Sequence, residues 1–135
     1  MGGNALGPRA HRVIHEMVEK LTAIYSGLSR KKDDIFTYLI EVYVNAAELP
    51  RLGNASAVRS AIANITSHKI DLRTARSPVR LLIEGTCEGE VKARSRYANA
   101  LRFAKVNGCP PAALRTFIGE NGGIEACAKK YTACR

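Results

Sequence analysis

Apolar residues recur at three- and four-residue steps between Arg12 and Leu28, and this period constrains the fold more than any other feature of the chain. The repeating positions are Ile14, Met17, Val18, Leu21, Ile24, Tyr25 and Leu28. Because an α-helix turns once in about 3.6 residues, the spacing places these side chains on one stripe and leaves the other side polar. The segment is therefore predicted to be an amphipathic helix.

The segment from Ile35 to Leu49 is apolar almost all round, and fifteen residues without a turn signal favour a helix over a strand. Pro50 is expected to end it. Such a helix is either central in the core or part of a subunit interface. If it is an interface, we expect a homodimer whose contacts include Phe36, Tyr38, Leu39, Val42 and Tyr43.

The next two helices are marked by their capping residues. Asn54 or Ser56 is a suitable N-cap for a third helix that reaches about His68. Ser77-Pro78 is typical of a helix start, with a capping side chain followed by a first-turn proline. Gly85 is expected to end that short helix.

Two features near this short helix leave alternatives open. Residues 79 to 83 are also compatible with a buried strand. Residues 85 to 90 are predicted to form a surface turn that carries Cys87 between acidic residues. Neighbouring carboxylates disfavour a thiolate, so a nucleophilic role for this cysteine is not expected.

The C-terminal part is predicted to contain three helices. Residues 91 to 106 form the first, and Asn107-Gly108 ends it. Pro110-Pro111 opens the second, which Asn121-Gly122-Gly123 interrupts, and residues 124 to 135 form the last. The last two are joined as helix, glycine turn and helix, so this trihelical unit could contain a helix-turn-helix.

Composition agrees with an all-α fold. The 135 residues include no tryptophan and only 6% aromatic residues, so the core must depend on aliphatic side chains, which suit helix packing. We predict a single compact helical domain of about five to seven helices, spanning residues 1 to 135. No apolar run approaches the ~20 residues that cross a bilayer, and the start lacks a signal-peptide pattern, so a cytoplasmic location without membrane contact is expected.

Charge is distributed unevenly along the chain. The net charge is +9, yet residues 1 to 50 contain six basic and six acidic residues. All nine excess positive charges therefore lie in residues 51 to 135. A strong excess of this kind in one part of a chain favours a polyanionic partner, most simply DNA or RNA.

Two surfaces are candidates for that contact. In the first, the last helix enters a groove of DNA and presents Lys129, Lys130 and Arg135. In the second, helix 91–106 and the preceding basic segment bind phosphates without reading sequence. The candidate nucleic-acid-binding residues of the second surface are Arg73, Arg76, Arg80, Lys92, Arg94, Arg96, Arg102 and Lys105.

No pattern in the chain indicates an enzyme, a metal or a cofactor. The four cysteines do not have zinc-site spacing. His11, His15 and Glu19 lie four residues apart on the wet side of the first helix, but no further ligand accompanies them, so a solvated face is expected. Paired carboxylates, a nucleophile with its base, a phosphate loop and a dinucleotide fingerprint are not found.

The sequence thus favours a small basic regulator or accessory protein that binds nucleic acid, DNA rather than RNA, mainly through phosphate contacts in its C-terminal half. Transcription regulation is the simplest role of such a protein. The alternative is a helical protein-interaction module, a dimerising adaptor or inhibitor, that docks through the charge-neutral helical pair of residues 1 to 50 without binding nucleic acid.

Overall fold

The computed structural model describes residues 6–28, 35–66 and 77–133, and these residues form seven α-helices and no strand. The all-α prediction is confirmed. The chain divides into two compact units, an N-terminal unit (Met1–Glu88) and a C-terminal unit (Gly89–Arg135). The sequence has zero net charge up to residue 50 and a positive excess after it, and the boundary between the units lies well beyond that point. None of the described helices is long and apolar enough to span a membrane.

The N-terminal unit contains α1 (Pro8–Leu28), α2 (Ile35–Leu52), α3 (Ala55–Ile65) and α4 (Pro78–Thr86). Every pair of these helices is in contact, so the four share one core. Its largest fully buried side chains, which come from all four helices, include Ile14, Leu21, Leu39, Ile62 and Leu82.

Helix α1 confirms the first predicted helix, and Ile24, Tyr25 and Leu28 of its predicted stripe are half-buried. Ile14, Met17, Val18 and Leu21 are buried, which gives the helix an apolar side against the other three. The helix begins at Pro8, four residues before the apolar period starts, because proline at a first helical position needs no hydrogen-bonded N–H.

The predicted caps Asn54 and Ser77 are confirmed. The Asn54 side chain accepts a hydrogen bond of 2.8 Å from the Ala57 N–H, and the Ser77 hydroxyl accepts one of 3.1 Å from the Arg80 N–H. Each cap satisfies a backbone donor that has no partner within its own helix. Helix α3 ends at Ile65, and the predicted end at His68 lies outside the described residues.

Pro50 does not end α2, contrary to the sequence prediction, because the helix continues to Leu52. Proline removes its own N–H from the helical ladder and crowds the carbonyl four residues earlier, but it does not remove the N–H groups that follow it. The N–H groups of the two following residues remain able to donate to carbonyls four residues earlier, so one further part-turn forms before Gly53.

The apolar circumference of α2 is used within the unit, since α1, α3 and α4 all contact this helix. Tyr38, Leu39, Val42 and Tyr43 are buried, whereas Phe36 is half-buried. The four buried residues among these interface candidates are therefore not exposed for a subunit contact. The structure corresponds to the other interpretation of this helix, that of a central core helix.

The end of α4 is buried, which corrects the predicted surface turn. Residues 79 to 83 are helical rather than extended, and Gly85 lies inside the helix instead of ending it. Thr86 and Cys87 are almost fully buried. The Thr86 hydroxyl donates to the Leu82 carbonyl at 2.7 Å, so its oxygen accepts from the Tyr38 hydroxyl at 2.6 Å. Threonine is tolerated in the core here because its polar group is paired.

The C-terminal unit contains α5 (Val91–Val106), a 3-10 turn (Pro111–Ala113), α6 (Leu114–Glu120) and α7 (Ile124–Ala133). The predicted breaks at residues 107–108 and 121–123 are confirmed. Gly108 and Gly122 have φ angles of 71° and 99°, in the left-handed region that glycine adopts without strain. An added Cβ at Gly122 would lie 2.8 Å from the Ala126 Cβ, so this position also requires a residue that has no side chain.

Helix α7 packs mainly against α5 and makes fewer contacts with α6. The buried side chains between them are small, and they include Ala98, Ala104, Cys127 and Ala128. Small side chains allow two helix axes to approach closely. A helix-turn-helix is not confirmed, because α6 has only seven residues and α7 packs mainly against α5 rather than against α6.

Candidate nucleic-acid interface

Helix α5 carries a stripe that faces away from its packed side. The stripe consists of Lys92, Arg96, Asn99, Phe103 and Val106, which follow one another at steps of four, three, four and three residues. Such steps keep side chains on one face of a helix. Lys92 and Arg96 are exposed, and Val106 has an exposed fraction of 75%. We call these five residues the outer stripe.

The opposite face of α5 holds the helix in the unit. Ala98, Leu101 and Ala104 are fully buried there. Their positions fix the rotation of α5 about its axis, and this rotation directs the outer stripe toward solvent. The outer stripe is cationic in its first half and apolar in its second half.

Two aromatic rings meet at the apolar end of the outer stripe. The ring centroids of Phe103 in α5 and Phe117 in α6 are 5.7 Å apart, with the ring planes tilted by 37°. This separation is within the range of favourable aromatic contacts. Both side chains are half-buried, so part of the aromatic surface remains accessible.

The backbone beneath both rings is capped in the same way. The Asn107 side-chain amide donates to the Phe103 carbonyl at 2.8 Å, and the Asn121 amide donates to the Phe117 carbonyl at the same distance. Each asparagine thus satisfies a carbonyl in the last turn of its helix, where helical partners run out. The two caps fix the ends of α5 and α6 from which the rings project.

The C-terminal unit is strongly basic. Residues 89 to 135 contain nine basic and three acidic residues, so this unit contributes six of the nine excess positive charges. Among its predicted phosphate contacts, Lys92, Arg96, Lys105 and Lys129 are exposed. They are available to a polyanion without rearrangement of the helices.

Three other predicted cations of this unit have structural contacts. The Arg102 guanidinium carbon lies 4.8 Å from the centre of the Tyr131 ring, a cation–π contact that joins α5 to α7. The Arg94 guanidinium donates to the Gly89 carbonyl. The Lys130 ammonium donates to the Asn121 carbonyl at 3.0 Å. Their positive charge remains, but each side chain also stabilises the unit.

Arg80 is located in the N-terminal unit and is not an exposed cation. Its Nε donates to the Glu84 carboxylate at 2.8 Å, and both side chains are largely buried. The Glu84 carboxylate neutralises the positive charge of Arg80 that would otherwise attract a phosphate. Arg73, Arg76 and Arg135 lie outside the described residues.

The N-terminal histidines and the cysteines do not assemble into a metal site within the described ranges, where no group of three or more His, Cys, Asp or Glu side chains could hold an ion. His15 Nδ1 lies 3.3 Å from the Glu19 carboxylate on the exposed face of α1. This is an ordinary pair of side chains one turn apart.

Cys87, Cys109 and Cys127 are buried, and Cys134 lies outside the described residues. Burial raises the pKa of the Cys109 thiol, because the charged thiolate loses solvation. Burial also raises the pKa of the Cys127 thiol, and the nearby positive charge of Lys130 opposes this effect only in part. Both groups are thus held as neutral thiols.

We therefore expect slow alkylation of Cys109 and Cys127 in the folded protein. Since each folded pKa is above its unfolded value, their contribution to stability is complete below the unfolded pKa and is lost as the pH rises through the folded pKa. Labelling with iodoacetamide at several pH values, read by peptide mass spectrometry, should show little modification near neutrality and more at alkaline pH. The denatured chain serves as the control, and equal rates in both states would contradict this assignment.

Phe103 and Phe117 have no predicted role in the sequence. The spacing of Arg96, Asn99 and Phe103 predicts that these three side chains share one face of their helix, beside the cations. No local signal marks Phe117 as its neighbour, because the ring contact depends on how α6 packs against α5.

Comparison of the chain with protein-family models, curated proteins and solved structures gives no match.

Proposed function

We propose that this protein binds nucleic acid through its C-terminal unit, as a small regulator or accessory protein, with phosphate contacts from Lys92, Arg96, Lys105 and Lys129. The observation that carries the proposal is the charge of this unit, nine basic against three acidic residues, together with the exposure of these four cations. Arginine and lysine at a surface bind phosphate oxygens and release condensed counterions, which is the main source of affinity for nucleic acid.

Backbone contact is better supported than base reading by the last helix. Lys130, one of the three cations expected to face DNA, bonds to the carbonyl of Asn121. Lys129 and Lys130 are both exposed in α7, and Lys129 is retained as the phosphate contact because the Lys130 ammonium already bonds to Asn121. Contacts with phosphates fix the position of a protein on nucleic acid but carry no sequence information. We therefore expect similar affinity for unrelated sequences.

The test compares two double charge reversals that change the net charge equally. One variant combines Lys92→Glu with Arg96→Glu on α5, and its matched control combines Arg9→Glu with Arg12→Glu, two exposed arginines on α1. Affinity for labelled single-stranded and duplex oligonucleotides is measured by fluorescence anisotropy over a salt series.

The α5 variant should weaken binding and reduce the slope of log affinity against log salt by about 1.4 on a single strand, at ~0.7 for each of two phosphate contacts. The α1 control should retain most of its affinity and its slope, since it lowers only the overall charge. Equal losses in both variants would show that net charge alone attracts the oligonucleotide. Absence of binding by the unaltered protein at low salt would refute the proposal and favour the protein-interaction module.

A further inference from the structure

Phe103 of the outer stripe and Phe117 of α6 form an accessible aromatic pair on the same unit as the exposed cations Lys92 and Arg96. We propose that the C-terminal unit binds single-stranded nucleic acid, with bases stacked on Phe103 and Phe117 and with phosphates bound by Lys92 and Arg96. This inference rests on the proposed nucleic-acid binding and names the form of nucleic acid that the same surface accepts.

The aromatic pair distinguishes a single strand from a duplex. Within a duplex each base is covered above and below by its neighbours, so a protein ring has no base face to contact. In a single strand the faces are available, and stacking on aromatic side chains adds affinity with little dependence on sequence. Phe103 and Phe117 are both half-buried, whereas the core side chains of the same helices, Leu101 and Ile118, are fully buried.

The dimensions of α5 fit one short stretch of strand. At a rise of about 1.5 Å per residue, Lys92 and Arg96 are roughly 6 Å apart along the axis, and Phe103 lies roughly 10 Å beyond Arg96. Phosphates of adjacent nucleotides can therefore be bound at the cationic end while a following base reaches the rings. The exposed Val106 side chain extends the apolar surface past Phe103.

Charge complementarity supports the same ligand. The five residues of the outer stripe include two cations and no acid, so a strand that lies along it meets no repulsion from the stripe. A ligand with both anionic groups and flat apolar groups, alternating along a flexible chain, matches the cationic and aromatic halves together. Single-stranded nucleic acid has this chemistry.

The first test removes the ring without removing the apolar character. Phe103→Leu should lower affinity for an oligothymidylate by roughly 5- to 140-fold, the range that corresponds to the ~1–3 kcal/mol lost when a stacking aromatic residue is replaced by alanine. Its affinity for an abasic oligomer of equal length should not change, because that ligand keeps its phosphates and has no bases. Val91→Ala, an exposed valine of the same helix that lies outside the outer stripe, is the matched control and should alter neither affinity.

The second test uses the absence of tryptophan from the chain. Phe103→Trp introduces a single tryptophan that keeps an aromatic face at this position, so it also guards against a leucine variant that fails to fold. Addition of oligothymidylate should quench its fluorescence, and addition of the abasic oligomer at saturating concentration should leave it nearly unchanged. Thermal unfolding of both variants reports whether the fold is kept.

The outcomes separate this inference from the proposed function. If the unaltered protein binds no nucleic acid, both fail. If it binds, but binds the duplex as tightly as the single strand and Phe103→Leu has no effect, only the stacking proposal fails. Equal quenching by the base-bearing and abasic oligomers would likewise overturn it, whereas selective loss and selective quenching support it.

Discussion

Neutralising four exposed cations together, as Lys92→Gln, Arg96→Gln, Lys105→Gln and Lys129→Gln, is expected to lower affinity for single-stranded nucleic acid by roughly 600-fold at 0.1 M salt. The estimate follows from counterion release. Four lost contacts reduce the slope of log affinity against log salt by about 2.8 at ~0.7 each, and the two proteins should converge near 1 M salt. All four side chains are exposed, so the fold should be unaffected.

The measurement is a salt series of anisotropy titrations, accompanied by circular dichroism of the variant. On a duplex the expected reduction in slope is about 3.6, since each contact counts for ~0.9 there. Arg94 and Arg102 are not replaced, because Arg94 donates to the Gly89 carbonyl and Arg102 stacks on Tyr131. Replacing them would not distinguish the loss of a phosphate contact from a loss of structure. A parallel shift in affinity with no change in slope would show that these four side chains do not contact phosphates.

Leu101→Ala should strongly destabilise the C-terminal unit, because Leu101 is one of the large side chains that are fully buried there. Removing a buried leucine side chain costs about 2–5 kcal/mol, from lost burial and from the cavity left behind. A helical unit of this size has a core that supplies roughly 3–5 kcal/mol, so the substitution is expected to unfold residues 91 to 133 for a large fraction of the time.

Hydrogen exchange resolved to α5, α6 and α7 is the appropriate measurement, because it reports on this unit directly. Val106→Ala is the matched control, since that side chain is 75% exposed on the same helix and its truncation should change stability by less than about 0.5 kcal/mol. If Leu101→Ala left the exchange of these helices unchanged, the buried position assigned to this residue would be wrong. The direction in which the outer stripe faces depends on the rotation of α5 about its axis, which its buried side chains fix. Leu101→Ala should therefore also weaken oligonucleotide binding.

Features that depend on neighbours along the chain follow from the amino-acid sequence alone. Asn54 and Ser77 cap helices because a short polar side chain can bond to a backbone N–H three residues on. Val91 and Val106 bound α5 as predicted, since an apolar period between turn signals is a local property. The charge of the C-terminal unit was also evident from composition alone. These interactions span one turn of helix, so a linear pattern records them.

Whether a side chain lies in the core, contacts another helix or remains exposed depends on how the helices pack. The broad apolar surface of α2 is compatible with an interface or with a core, and the packing of α1, α3 and α4 around it places it in the core. Arg102 and Arg96 belong to the same predicted helix and were both candidate phosphate contacts, yet one stacks on Tyr131 and the other is exposed. The contact between Phe103 and Phe117 arises because α6 returns beside α5. Whether a side chain is buried, stacked or exposed depends on which helix faces pack together. A local sequence pattern does not predict contacts between residues that are distant along the chain.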